Sequence, residues 1–208
     1  TSEHIGFGQC YIFIEVENNR EVFEGGISDM GFLIRGARVW DPRDTSQDPD
    51  DESTWIWSQN AVLCALHYVR FYGAYEVPFS RLPLQWWIAA INVCDENAEF
   101  TDAEGVVTTE PRYTTNGSFT FSTKPIEVLN QLEACFAGKI FRQMGQWYVR
   151  VGAWYGNPTH TINQDDVHGN IKIKWHADLR DRANVVRATF TDPDQNYDRT
   201  DAPPVVSA

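Results

Sequence analysis

Hydrophobic and polar positions alternate with a period of two near the start of the chain. Ile12, Ile14 and Val16 fall on one face and Phe13, Glu15 and Glu17 on the other, the pattern of a half-buried strand. Asn18-Asn19 and Gly25-Gly26 supply turns, and residues 32–40 (FLIRGARVW) read as a further strand stopped by Asp41-Pro42. The polar, acidic run 41–53 reads as a solvated loop. From Asn60 the period becomes helical: Asn60 is placed as the N-cap, Val62, Leu66 and Val69 share a face, and Gly73 is the stop. A second helix is predicted from Pro83 to about Ala98, with Trp87, Ile91 and Cys94 on its apolar side. After an acidic loop, residues 112–122 read as strand around Asn116-Gly117, a dipeptide that favours a hairpin turn over use as a glycosylation acceptor.

A third helix opens at Pro125 with Glu127 in its first turn. It turns Ile126, Leu129, Leu132 and Phe136 inward and stops at Gly138. Two strands joined at Gly145 follow, and strand alternation returns at Ile171, Ile173 and Trp175 and again at Val186, Ala188 and Phe190. These elements predict an α+β fold with a mixed or antiparallel sheet. Strand-rich parts, residues 1–54 and 154–208, complete one module around a helix-rich insertion, residues 55–153, of about three helices ending in a hairpin.

Composition narrows the function classes. A 42% hydrophobic content over 208 residues fills a sizeable core, and a net charge of -12 repels phosphate backbones, so no nucleic-acid partner is expected. The order helix, helix, strand, helix, hairpin loosely matches winged-helix DNA binders. However, the third helix sets Lys124 against Glu127 and Glu133 and offers only Asn130 and Gln131 as base readers. No apolar run reaches the length of a membrane span, so this stretch of chain is not expected to insert in a membrane. It begins at Thr1, inside strand-forming sequence, and is expected to be a piece of a longer polypeptide. Cys10, Cys64, Cys94 and Cys135 form no C-x-x-C pair and read as buried reduced thiols.

Asp192, Asp194, Asn196 and Asp198 occupy alternate positions, as oxygen ligands of a calcium loop do. Tyr197 stands where the sharp bend wants Gly, and Pro203 where a bidentate Glu closes the cage, so a turn behind a strand is the preferred reading. His4, His67, His160, His168 and His176 show no metal-site spacing. Asp95 and Glu96 are adjacent on a helix, diverge by about 100° and are read as solvating its end. Acyl transfer, nucleotide hydrolysis and dinucleotide binding each lack their local motif, and no cofactor is expected. The aromatic surplus is more telling. Adjacent residues such as Trp55 with Trp57 nearby, or Trp86 with Trp87, cannot all face one core, so part of each pair is expected at an edge or against a partner.

Six segments follow one another in a familiar order: GFLIRGARVWDPR at 31–43, W-x-W-S-Q-N-A-V-L-C-A-L-H-Y-V-R at 55–70, AAINVCDENAE at 89–99, PRYTTNGSF at 111–119, KPIEVLNQLEACFAGKIFRQMGQWYVRVGAW at 124–154 and NVVRATFTDPDQNYDRTDAPP at 184–204. Over residues 31 to 206 the chain resembles the tip attachment protein J family, the central tail-tip or baseplate-hub proteins of long-tailed bacteriophages and gene-transfer particles. The resemblance implies a non-enzymatic structural subunit of the virion tail tip, made in the bacterial host cytoplasm. It implies a homotrimeric hub with β-barrel-like domains, in contact with the distal tail protein and other tail-tip subunits and supporting host attachment. Trp40-Asp41-Pro42-Arg43, Cys94-Asp95-Glu96, Pro111-Arg112-Tyr113 and Asp192-Pro193-Asp194 match the family's landmarks and are expected to be structural, with Arg112 paired to Asp95 or Glu96. Trp55, Trp57, Trp86 and Trp87 are the interface candidates. The alternative is a carbohydrate-binding or glycan-processing domain that uses exposed Trp for stacking and acidic residues for chemistry.

Overall fold

Asn60 opens the first helix by accepting hydrogen bonds from the amides of Val62 and Leu63 through its Oδ1, both at 3.1 Å. The computed structural model describes residues 12–15, 30–72, 75–101, 105–158, 160–170, 172, 184–192, 195, 197–202 and 205–206. The chain divides into two compact units, Thr1–Trp154 and Tyr155–Ala208. The predicted turns at 18–19 and 25–26, the helix stop at Gly73, the strand alternation at Ile171, Ile173 and Trp175, and Cys10 all lie outside the described residues.

In the first unit, helix α1 (Ala61–Phe71) buries Ala61, Val62, Leu63, Ala65, Leu66, Tyr68 and Val69, so it is covered on nearly every side. Helix α2 (Leu84–Asp95) lays Trp87, Ala90, Ile91 and Cys94 against it, with Pro83 at the N-cap. Helix α3 (Pro125–Cys135) packs on α1 through Val128 and Leu129. Ile126, expected inward, is 53% exposed. At 100° per residue it sits about 105° around the helix from the centre of the Val128, Leu129, Leu132 and Phe136 face.

The strands are short. β1 (Arg38–Val39) pairs antiparallel with β2 (Ile56–Trp57). This is all that remains of the strand expected over 32–40, because Phe32, Leu33 and Ile34 are exposed and have no ladder among the described residues. Residues 12–15 are also exposed and form no strand among the described residues. Helix α2 ends before Ala98, because β3 (Asn97–Thr101) pairs with β4 (Val107–Pro111), turning the expected acidic loop into a hairpin. The strand expected over 112–122 is absent. That stretch makes one isolated bridge, Asn60 with Thr114, and Asn116-Gly117 turns no hairpin. β5 (Lys139–Gln143) and β6 (Gln146–Arg150) form the expected hairpin, with Met144 and Gly145 both at positive φ, 50° and 79°, as a two-residue primed turn requires. Gly138 lets α3 run straight into β5, since a Cβ there would collide with the Arg150 carbonyl oxygen and the Phe136 ring.

In the second unit β7 (Val185–Val186) pairs with β10 (Val205–Val206), and β8 (Thr189–Asp192) with β9 (Asp198–Asp201), all antiparallel. The whole is a mixed α+β fold. Its described strands make only two-stranded sheets, so the barrel-like closure expected of the hub is not present among the described residues.

His67, on α1, is packed by Trp55, Phe71 and Tyr72 at ring separations of 5.5, 5.1 and 5.2 Å. Both its ring nitrogens are buried without a hydrogen-bond partner among the described residues. Burial disfavours the imidazolium and pushes the His67 pKa from 6.5 down to about 4. Because the folded value lies below the unfolded one, this stabilisation is complete above pH 6.5 and is lost as pH falls from 6.5 towards 4. Thermal unfolding followed by circular dichroism should show the melting temperature declining across that window, corresponding to roughly 1–2 kcal/mol once solvent screening is allowed for. His67→Phe should flatten this part of the profile; an unchanged slope would mean another group titrates there.

Candidate functional site

The acidic run after Trp40 folds because its carboxylates accept backbone amides two residues ahead. Asp41 Oδ1 accepts from Arg43 N, Asp44 Oδ1 from Ser46 N, Asp48 Oδ1 from Asp50 N and Asp51 Oδ1 from Ser53 N, each at 2.9 Å. The side-chain hydroxyl and then the amide of Ser46 hold the Asp44 pKa below the usual carboxylate value, and Ser53 does the same for Asp51. Gln47 is buried: its Oε1 accepts from Asp41 N at 2.9 Å and its Nε2 donates to Asp44 Oδ2 at 3.1 Å. Trp55 Nε1 donates to the Asp48 carbonyl at 2.7 Å. Residues 41–54 are therefore a string of turns knitted to the core, and the expected solvated loop is corrected to that extent.

Asp41, Arg43 and Asp95, separated by up to 54 positions, come together in one clamp. Arg43 straddles Asp41, with Nε 3.0 Å from Oδ1 and Nη2 2.7 Å from Oδ2. Its Nη1 donates to Asp95 Oδ2 at 2.7 Å and to Asn92 Oδ1 at 2.9 Å. The planar guanidinium fork serves both carboxylates at once, and the Asp41 hydrogen bond leads in raising the Arg43 pKa. The second Asp95 oxygen accepts from Asn60 Nδ2 at 2.8 Å. Asp95 is thus a junction rather than a solvating end group. Arg112 pairs with Glu96 at 3.0 Å, between side chains 38% and 52% exposed.

The tryptophans separate as their neighbours dictate. Trp40 and Trp55 are buried, Trp40 edge-on to Phe79 at 5.1 Å. Trp57 is half-buried beneath the Arg35 guanidinium, 5.2 Å from its centroid. Trp87 is fully buried and donates its Nε1 hydrogen to the Trp147 carbonyl at 3.0 Å. Trp86 points away and is 52% exposed. It meets Tyr148 edge-on at 5.7 Å, and Tyr148 stacks on Phe141 at 5.7 Å. Trp86, Tyr148 and Phe141 form an outward aromatic row across α2, β6 and β5. The sequence reading missed Tyr148 and Phe141, although a two-residue turn at 144–145 fixes the register that places them opposite each other. It also missed Gln47 and Asn92, for which no local signal exists.

Asp192 and Asp198 are cross-strand partners at the mouth of the β8–β9 hairpin, and Tyr197 N donates to the Asp192 carbonyl at 2.9 Å. Asp194 and Asn196 lie outside the described residues. Among the described residues no group of three or more His, Cys, Asp or Glu is placed to hold a metal ion. The described cysteines, Cys64, Cys94 and Cys135, are free thiols, and burial pushes Cys64 and Cys94 up to about 11.

Replacing Asp95 with Ala strands the buried Asn60 donor and removes one anchor of Arg43, at a cost of about 2 kcal/mol. Arg112→Ala, which breaks only an exposed pair, should cost less than about 0.5 kcal/mol. Urea unfolding midpoints of the two variants should differ accordingly. No protein-family model matches this chain, and no curated protein sequence matches it.

Proposed function

We propose that this chain is a structural subunit of a bacteriophage tail tip, a piece of a central hub or tip attachment protein that joins distal tail parts. The motif order along residues 31 to 206 suggests the family. The observation that carries the assembly role is the outward row of Trp86, Tyr148 and Phe141, with Tyr148 in contact with the ring on either side, on elements that bury their other faces. Rigid aromatic rings bring large contact area at low conformational cost, which suits a protein interface. On this reading the row meets another subunit of the tip: a further copy in a homotrimer, or the distal tail protein.

The glycan-binding alternative draws on the same exposed indole. A sugar-processing site sets such a ring beside free carboxylates, whereas Asp95 is held by Arg43 and Asn60, and Glu96 by Arg112. That favours the structural reading.

Gold-labelled antibodies raised against the chain should decorate the tail tips of particles from its source phage under electron microscopy; label confined to another part of the particle, or none on any particle, would overturn the proposal. Trp86→Ser should lower the unfolding free energy by only roughly 1–2 kcal/mol, leaving the chain folded, since the ring lies half in solvent. The same change introduced in the phage should reduce the yield of complete tails, counted in micrographs.

A further inference from the structure

Strand β1, the 3-10 turn Glu52–Thr54 and the end of α1 border a half-open cavity of about 450 Å³, within the range of about 300–1,000 Å³ typical of small-ligand pockets. Its walls are aromatic: His67 and Phe71, one turn apart on α1, then Tyr72 and Trp55. Arg38 and Glu52 add one cation and one anion to the same lining. These two form no ion pair with each other. Arg38 Nη1 donates to the Ser53 carbonyl at 3.3 Å, and its charge also acts on the nearby Asp51 carboxylate, which does not line the cavity; among the described residues its other nitrogens make no hydrogen bond and the Glu52 carboxylate accepts none.

A ligand of single charge entering this cavity meets one attractive and one repulsive group. An apolar ring alone leaves both charges unused. A zwitterion built on an aromatic ring satisfies both, with its carboxylate on Arg38, its ammonium on Glu52 and its ring against Phe71 and Tyr72. We propose that this cavity binds an aromatic α-amino acid group, carried either by the free amino acid or by the terminal residue of a peptide. The site is formed by residues other than the Trp86 row, and its existence does not depend on the tail-tip assignment.

The test is an amide NMR titration of the full chain with L-phenylalanine, N-acetyl-L-phenylalanine and L-phenylalanine amide. L-Phenylalanine should shift residues around 37–38, 52–55 and 67–72 saturably, and each blocked derivative should bind about tenfold more weakly, as loss of one charge-assisted contact predicts. Arg38→Gln should abolish the advantage of the free amino acid over the amide, and Glu52→Gln its advantage over the N-acetyl form. Both positions are exposed, so neither variant threatens the fold. Phe-Gly-Gly and Gly-Gly-Phe then separate the sources: tighter binding of either than of L-phenylalanine assigns a peptide terminus, and weaker binding of both assigns the free amino acid. Absence of saturable shifts at about 10 mM ligand, or equal response to all three phenylalanine compounds, would overturn the site.

Discussion

One asparagine obliges three separate parts of the first unit to agree. Asn60 is 5% exposed, so each of its polar atoms must find a partner inside the protein. Oδ1 accepts from Val62 N and Leu63 N, and Nδ2 donates to Ile91 O at 3.0 Å and to Asp95 Oδ1 at 2.8 Å. Two acceptances and two donations exhaust the hydrogen-bonding capacity of an asparagine amide. The start of α1 is thereby held against the last turn of α2, and the Asn60–Thr114 bridge draws the 112–116 stretch to the same point. A fully satisfied buried polar group of this kind specifies one arrangement, because any slippage leaves a donor or acceptor bare.

From that junction the network runs outward. Asp95 passes the constraint to Arg43, Arg43 to Asp41, and Asp41 through its own amide to Gln47 and so to Asp44. The surplus negative charge of this protein is therefore not all spread on its surface. In residues 41–54 carboxylates substitute for missing backbone partners in successive turns, and Arg43 of the same run pairs with both Asp41 and Asp95 of α2. The result is an ordered segment with no regular element longer than one 3-10 turn.

What the sequence revealed and what it concealed follow the range of the interactions. The Asn60 cap, the Pro125 start and the Met144-Gly145 turn depend on residues within four positions, and each was legible. The strand over 32–40 was overread because an apolar run reports what could be buried, while a ladder needs a partner, which among the described residues Ile56–Trp57 supplies for two residues. Residues 112–122 misled for the converse reason: the apparent hairpin dipeptide Asn116-Gly117 has no flanking strands, and Asn116 Oδ1 instead accepts from Gln59 Nε2 at 3.0 Å. Asp95 looked like a solvating end group because nothing local announces a guanidinium from 52 positions earlier. The segments around Asp41, Arg43 and Asp95 were singled out by resemblance, and hydrogen bonds from Arg43 join the three side chains.

The same buried polar contacts bear on how an exposed surface could be used. Helix α2, which carries Trp86, is tied at its C-terminal end by Asp95 and along its length by the Trp87 indole bonded to the Trp147 carbonyl. Strand β5, which carries Phe141, is tied at Ile140, whose amide donates at 2.8 Å to the buried Glu133 carboxylate, itself balanced by Lys139. Tyr148 lies between them on β6, which pairs β5 residue for residue. Each ring of the row therefore projects from backbone fixed by a buried hydrogen bond a residue or a few away. A surface held in this way loses little freedom when covered, so more of the ring burial is left as net affinity. Rigidity of mounting, more than the count of exposed aromatics, is what distinguishes this row from the isolated apolar side chains found on any protein surface.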